Sequence, residues 1–124
     1  MFTDYIKDMG TNEDNYNVTI LIAEDEESNF LLLKTILKRH CNVLQARTGL
    51  DLLKVFAEKG ADLILLDIKM PEMNGIEALK EIRKKDTNIP IIMQSAYAFE
   101  NDMEAARAAG SNGFITKPIN ICLL

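Results

Sequence analysis

Short apolar runs recur along the chain, and the clearest of them ends in an acid. Residues 63–66 are Leu-Ile-Leu-Leu and run directly into Asp67, after which a loop rich in Pro, Asn and Gly begins. A continuous apolar run of this length, bounded by turn residues, is typical of a strand buried on both faces, as in a parallel sheet. The pattern therefore places Asp67 where a buried strand leaves the core.

Segments with helical spacing of apolar residues separate these runs. The periodicity predicts a helix over residues 30–39. Glu26, Glu27 and Ser28 are expected to cap the start of this helix. Gly60 is expected to end the next helix. Strands are predicted over 18–23, 42–46, 63–67, 91–95 and 113–117, and further helices over 49–59, 76–84 and 99–109, with the first turn of a last helix near 120.

Alternation of strands and helices predicts an α/β fold, a parallel sheet covered by helices on both faces. Residues 18–124 are expected to form one such domain, and the polar residues 1–17 a linker or N-terminal extension. The helix over 99–109 is rich in Ala and buries little, so we expect it to shift more easily than the others.

Polar residues of suitable chemistry lie at the carboxyl ends of four of the five predicted strands. These are Glu24 and Asp25 at the end of the first strand, Asp67 at the end of the third, Ser95 at the end of the fourth and Lys117 at the end of the fifth. In a parallel sheet these ends share one edge, which is where ligands bind in open α/β folds. Three converging carboxylates repel unless a cation joins them, and Mg²⁺ suits few carboxylates with several waters. A metal, a lysine and a hydroxyl together suit a phosphoryl group.

Composition narrows the range of functions. The formal net charge is −5 and no basic stripe is present, which argues against direct nucleic-acid binding. No apolar stretch has the length of a membrane span and the first residues do not resemble a signal peptide, so a cytoplasmic location is expected. Cys41 and Cys122 are interpreted as free thiols, and His40 as a residue near a helix end without a catalytic role.

Four segments together resemble the receiver domain of the two-component response-regulator family. They are residues 20–26, 65–75, 92–98 and 114–119, and the likeness extends from about residue 18 to the end of the chain. The resemblance implies a flavodoxin-like (βα)5 sheet with strand order 2-1-3-4-5.

The same resemblance implies a role for each residue of the site. Asp67 is the phosphoacceptor, whose carboxylate takes a phosphoryl group from a partner's phosphohistidine and becomes an acyl phosphate. Glu24, Asp25, Asp67 and the backbone carbonyl of Lys69 hold Mg²⁺ or Mn²⁺. Ser95, the backbone N–H of Ala96, Lys117 and Lys69 contact the phosphoryl group. Whether the chain counts as an enzyme stays open, since it would catalyse only its own phosphorylation and dephosphorylation.

Phosphorylation is expected to draw Ser95 towards the phosphate and let Phe114 rotate into the vacated space, changing the face formed by the fourth helix, fifth strand and fifth helix. That face is also a candidate surface for homodimer formation. Ser95 replaces the family's more usual Thr, and Phe114 replaces the more usual Tyr. Lys69 and Tyr97 flank the path of a hydrolytic water, and we hypothesise that they set the lifetime of the acyl phosphate.

Three alternative functions make different demands on the sequence. A flavodoxin-shaped binding module needs a phosphate-cradling loop after the first strand, but that loop is the acidic sequence 24–27. A phosphohydrolase with an aspartyl nucleophile needs a second acid two residues after it, where Lys69 stands. A pseudo-receiver that binds partners without being phosphorylated is disfavoured by the complete polar set.

The surrounding protein is inferred only from the ends of the chain. The linker-like residues 1–17 and the short last helix suggest the receiver of a hybrid histidine kinase, and a single-domain regulator is the second option. The expected partner is a histidine kinase or a histidine phosphotransfer protein, and a hybrid parent could be anchored in a membrane. The domain itself is expected to make no membrane contact.

Overall fold

The computed structural model describes residues 18–39, 41–70, 72–95 and 100–116, and within these ranges strands and helices alternate as predicted. In chain order the elements are β1 (Thr19–Ala23), α1 (Glu27–Leu37), β2 (Asn42–Ala46), α2 (Gly49–Lys59), β3 (Leu63–Asp67), α3 (Gly75–Lys85), β4 (Ile91–Ser95), α4 (Glu100–Ala108) and β5 (Gly113–Thr116). None of the helices in these ranges is long and apolar enough to cross a membrane.

The strands form one parallel sheet in the order β2-β1-β3-β4-β5. This order confirms the predicted flavodoxin-like fold. The chain reverses its direction of winding between β1 and β3, and at such a switch point the carboxyl ends of neighbouring strands diverge and leave a crevice. Asp67 ends β3, directly beside β1.

Two apolar layers pack on opposite faces of the sheet, because side chains alternate along each strand. One layer joins Ile22, Leu65 and Ile92 to Phe30 and Leu33 of α1, and we call this side the α1 face. The other layer joins alternate strand residues to α2 and α3. All five residues of β3 are buried, which confirms its assignment as a strand covered on both sides.

The ends of several elements differ from those predicted, and the largest difference is at the start of α1. α1 begins at Glu27, a turn earlier than the apolar pattern indicates. Glu26 occupies the N-cap position but its side chain caps no helix N–H; it accepts hydrogen bonds from the side chains of Ser28 and Asn29 instead. The prediction that its side chain caps the helix is therefore wrong, because the longer Glu side chain reaches the neighbouring polar side chains rather than the helix amides.

Helix α3 is longer than predicted, because Asn74 caps it before the first apolar residue. The Asn74 side chain accepts a hydrogen bond from the Glu77 N–H at 2.9 Å and donates one to the Glu77 carboxylate at 2.9 Å. The first bond satisfies one of the backbone N–H groups that a helix start otherwise leaves unpaired, and the second holds the two side chains together. At the end of α2, Gly60 adopts φ 70°, as predicted for a glycine that terminates a helix.

Several predicted features lie outside the described residues. These are residues 1–17, His40, Ala96, Tyr97, Lys117, Cys122 and the last helix. Cys41 is described as a buried free thiol, and burial raises its pKa to about 11. A thiol with so high a pKa stays protonated at neutral pH and is a poor nucleophile, in keeping with a structural role.

Candidate functional site

Asp67 is held at the carboxyl end of β3 with only 5% of its surface exposed. One carboxylate oxygen, Oδ1, accepts a hydrogen bond from the backbone N–H of Lys69 at 3.2 Å. The next residue, Ile68, donates its N–H to the carbonyl of Gln94 on β4 at 3.0 Å. The backbone directly after Asp67 is therefore fixed to β4. The Asp67 carboxylate thus has a defined position before any ligand binds.

The loop after Asp67 folds back tightly over its own backbone. The N–H of Gly75, the first residue of α3, donates to the carbonyl of Ile68 at 2.7 Å. A Cβ atom at Gly75 would overlap the carbonyl oxygen of Asp67. Only glycine fits at this point, because the start of α3 approaches the backbone of the acid too closely for any side chain.

Replacing Gly75 by alanine is expected to destabilise the protein by about 3 kcal/mol, because the added Cβ meets backbone atoms that cannot rotate away. Urea-induced unfolding of Gly75→Ala and of wild type measures this loss in the free energy of unfolding. Gly60→Ala is the control, because a Cβ there meets no atom within 4 Å and only the φ of 70° is unfavourable. A loss at Gly75 no larger than that at Gly60 would contradict the close approach of α3 to Asp67.

Two further acids converge on Asp67 from the end of β1. One carboxylate oxygen from each of Glu24, Asp25 and Asp67 lies within 4.8 Å of the others. Glu24 is buried and Asp25 is exposed, so the cluster opens towards solvent on one side. The Glu24 backbone is fixed by an N–H donated to the Ala46 carbonyl of β2 at 2.9 Å. The sheet thus brings together the three acids that the sequence predicts as neighbours.

The donor set of this cluster fits a hard divalent cation. All of its ligand atoms are carboxylate oxygens, which Mg²⁺, Mn²⁺ and Ca²⁺ accept and soft metals disfavour. Three carboxylates at this separation repel one another, and a bound cation relieves that repulsion. No histidine or cysteine belongs to the cluster, so the residues do not fit a zinc site of the structural type.

Ser95 ends β4 at the same edge of the sheet. Its side chain is buried. Ser95 pairs in register with Thr116 of β5, and the preceding residue, Gln94, pairs with Asp67 of β3. A hydroxyl at the end of the strand next to Asp67 is where the sequence predicts it. Of the other predicted phosphoryl contacts, Lys69 is described and exposed, whereas Ala96 and Lys117 lie outside the described residues.

Phe114, the predicted switch residue, is partly buried on β5. It pairs in register with Met93 of β4 and packs on the apolar layer that faces α2 and α3. It also lines a groove of about 270 Å³ between α4 and β5, together with Met103 and Arg107. Open space therefore adjoins this residue, and the rotation of its ring remains a prediction.

One polar residue near the site was missed in the sequence. Gln94 precedes Ser95, is fully buried, and pairs in register with Asp67. The available signal was its interruption of the apolar run 91–93 one residue before the predicted hydroxyl. It was overlooked because the family resemblance assigns a role to the next residue and none to this one.

Comparison with known proteins places these features in one family. The family model for the response regulator receiver domain matches residues 20–124 of this chain. The polar-differentiation response regulator DivK of Brucella anthropi is 34% identical over 106 residues, which cover 83% of this chain and 86% of that protein.

Solved structures agree with the sequence comparison. The receiver domain of the Francisella response regulator 1452 superposes with a TM-score of 0.79 at 29% identity, covering 86% of this chain and 89% of that one. The Mn²⁺-bound form of the response regulator Rcp1 superposes with a TM-score of 0.76 at 27% identity, covering 86% of each chain. With its sheet order and its acidic edge, the chain belongs to the response regulator receiver domain family.

Proposed function

We propose that Asp67 is the phosphoacceptor of this receiver domain and that Glu24, Asp25 and Asp67 hold a divalent cation beside it. The observation that carries the proposal is the convergence of the three carboxylates within 4.8 Å at the end of a fully buried strand. Structural ion clusters also occur on protein surfaces, but here two of the three acids are buried. Three carboxylates this close repel one another, which favours a divalent cation between them.

The chemistry is a transfer of one phosphoryl group between two proteins. An Asp67 oxygen attacks the phosphorus, the P–N bond to the partner's histidine breaks, and the imidazole leaves with the bonding electrons and takes up a proton. The product is an acyl phosphate on Asp67 and a free histidine. A bound Mg²⁺ or Mn²⁺ would supply positive charge against the phosphoryl oxygens. The hydrogen bond from the Lys69 N–H holds Oδ1, which restricts the rotation of the carboxylate.

The phosphoryl oxygens would be received by groups at the ends of β4 and β5. We assign this role to the Ser95 hydroxyl, the Ala96 N–H and the Lys117 ammonium, with Lys69 nearby. When Ser95 moves towards the phosphate, Phe114 rotates inward and the face around α4 and β5 changes shape. Reversing a 1:99 preference between two such packings takes about 5.5 kcal/mol of differential stabilisation, which several charge-assisted hydrogen bonds can supply.

Receiver domains act with histidine kinases or phosphotransfer proteins, and we propose such a protein as the donor here. A receiver of a hybrid histidine kinase, in the cytoplasm, with residues 1–17 as a linker and 18–124 as the domain, is the arrangement that we favour. Homodimer formation through the α4–β5 face is part of the same proposal. A pseudo-receiver that only binds partners is the alternative, and it predicts no phosphorylation at all.

Incubation with a small phosphodonor such as acetyl phosphate tests the proposal without knowledge of the partner. In the presence of Mg²⁺ the protein is expected to gain the mass of one phosphoryl group, in a bond that is labile in alkali as acyl phosphates are. Absence of any modification with donor and Mg²⁺ in excess would favour the pseudo-receiver.

Replacing Lys69 by alanine is expected to speed dephosphorylation by about three- to tenfold, because the side chain flanks the route of the attacking water. Tyr97→Ala is expected to act in the same direction. The measurement is the decay of the phosphorylated protein after removal of the donor. Lys80→Ala, an exposed lysine on α3, is the control and should leave the decay unchanged. Unaltered decay in both Lys69→Ala and Tyr97→Ala would refute their role in lifetime.

A further inference from the structure

Gln94 is an unusual core residue. Its side chain has no exposed surface, and neither polar atom of its amide, Oε1 or Nε2, has a hydrogen-bond partner among the residues that the structure describes. Burying an amide without hydrogen bonds costs about 1–3 kcal/mol in proteins, whereas an apolar side chain of the same size would be stabilising. The arrangement is unfavourable for the state that the structure represents.

The position of Gln94 connects it with the phosphoacceptor. Cα partners in the sheet join Asp67 to Gln94 and Gln94 to Ile115, so these residues form one row across β3, β4 and β5. Neighbouring strands lie about 4.8 Å apart. Alternation along β4 puts Gln94 on the α1 face with Ile92, and alternation along β3 puts Asp67 on that face with Leu65.

The amide also belongs to the strand that phosphorylation is expected to move. Gln94 is bonded to Ser95, the hydroxyl residue that the phosphoryl group draws towards itself. Its own backbone carbonyl already accepts the N–H of Ile68, the residue after Asp67, at 3.0 Å. A small displacement of the end of β4 towards Asp67 would therefore carry the amide towards the acyl phosphate.

We propose that Gln94 is an additional phosphoryl-site residue, whose amide N–H donates a hydrogen bond to the phosphorylated Asp67 that it does not make in the unmodified protein. The inference rests on the proposed role of Asp67. An orphaned amide raises the free energy of the unmodified state, and a charge-assisted hydrogen bond lowers that of the phosphorylated state. Both effects shift the equilibrium in the same direction, towards the phosphorylated packing.

The test compares the thermal stability of two protein states in wild type and in Gln94→Met. Methionine has nearly the same length and volume but no hydrogen-bonding amide. The two states are the protein with Mg²⁺ alone and the protein with Mg²⁺ and beryllium fluoride, a stable mimic of an aspartyl phosphoryl group. Ile92→Met is the matched control, since Ile92 is buried on the same strand and face, two residues away.

Three results are expected. Gln94→Met raises the midpoint of unfolding of the protein with Mg²⁺ alone by about 4 °C, because an unsatisfied amide is removed. Its affinity for beryllium fluoride falls about tenfold or more, and the gain in midpoint on binding shrinks accordingly. Ile92→Met leaves the affinity and the gain unchanged.

Contrary outcomes separate the inference from the proposed function. A Gln94→Met protein that is less stable than wild type with Mg²⁺ alone, or that fails to fold, would mean that the amide has a permanent structural partner, and would overturn the inference. Equal beryllium fluoride affinity in the variant and wild type would do the same. If the wild type gains no stability from beryllium fluoride, the proposed function fails and the inference with it.

Discussion

Asp67→Asn is expected to abolish capture of a phosphoryl group, lowering the rate by about 10³-fold or more. The asparagine amide is nearly the same size as the carboxylate but lacks the anionic oxygen that attacks phosphorus. Its fold should persist, because the amide oxygen can still accept the hydrogen bond that the Lys69 N–H donates to Oδ1. Without metal the variant should be as stable as wild type or more so, since one of three mutually repelling charges is gone.

The control is Asp62→Asn, which makes the same chemical change at the opposite edge of the sheet. The Asp62 carboxylate accepts a hydrogen bond from the Thr19 N–H at 2.8 Å, and an asparagine oxygen can do so too. This variant should be phosphorylated at the wild-type rate. Comparable phosphorylation of Asp67→Asn and wild type would place the acceptor elsewhere in the chain.

Removal of divalent cations is the second change with a large expected effect. Chelation should reduce phosphorylation to background, and Asp25→Asn should raise the Mg²⁺ concentration needed for half-maximal phosphorylation at least about tenfold, because one of the three carboxylate ligands loses its charge. Asp25 is the exposed member of the cluster, so its replacement disturbs packing least. The affinity of the unmodified protein for Mg²⁺ can also be measured from the rise in its unfolding midpoint as Mg²⁺ is added, which does not depend on phosphorylation.

Glu26→Gln is the matched control for this change. Glu26 is an exposed acid next to Asp25 in the chain, but its carboxylate accepts hydrogen bonds from Ser28 and Asn29 and is not part of the cluster. The Glu26→Gln substitution removes one negative charge from the same loop as Asp25→Asn does. If Glu26→Gln and Asp25→Asn weaken Mg²⁺ binding equally, the effect is a general loss of negative potential and the assigned ligands are wrong.

The strands were predictable because their signal is local. β3 is a continuous apolar run whose burial on both faces follows from its composition, and its final acid marks the edge of the core. Four of the five strands start where predicted, and all four that are described to their predicted ends stop there. The convergence of Glu24 and Asp25 on Asp67 followed from parallel strand direction alone.

The starts of the helices and the order of the strands in the sheet were harder to predict from the sequence. The start of α3 at Gly75 depends on reciprocal hydrogen bonds between Asn74 and Glu77, which apolar periodicity does not report. The order of strands in the sheet depends on long-range pairing, and it was supplied by family resemblance rather than by the pattern.

The register of the strands explains why Gln94 was missed. In the sequence it is a polar residue before a more conspicuous serine, and nothing local shows that it pairs with Asp67 across the sheet. The tight contact between Gly75 and the Asp67 carbonyl is hidden for the same reason, since it joins residues whose approach is set by the path of the loop. Both features concern the surroundings of the acid, which only three-dimensional structure reveals.

The central claim is that Asp67 carries the phosphoryl group, and locating the acyl phosphate chemically tests it most directly. Borohydride reduces an aspartyl phosphate to homoserine, so the protein is treated with acetyl phosphate and Mg²⁺, reduced, digested and sequenced by mass spectrometry. We predict homoserine at position 67 in wild type and at no position when Mg²⁺ is chelated. Homoserine at another aspartate, or an intact Asp67 in protein that has gained a phosphoryl group, would contradict the account.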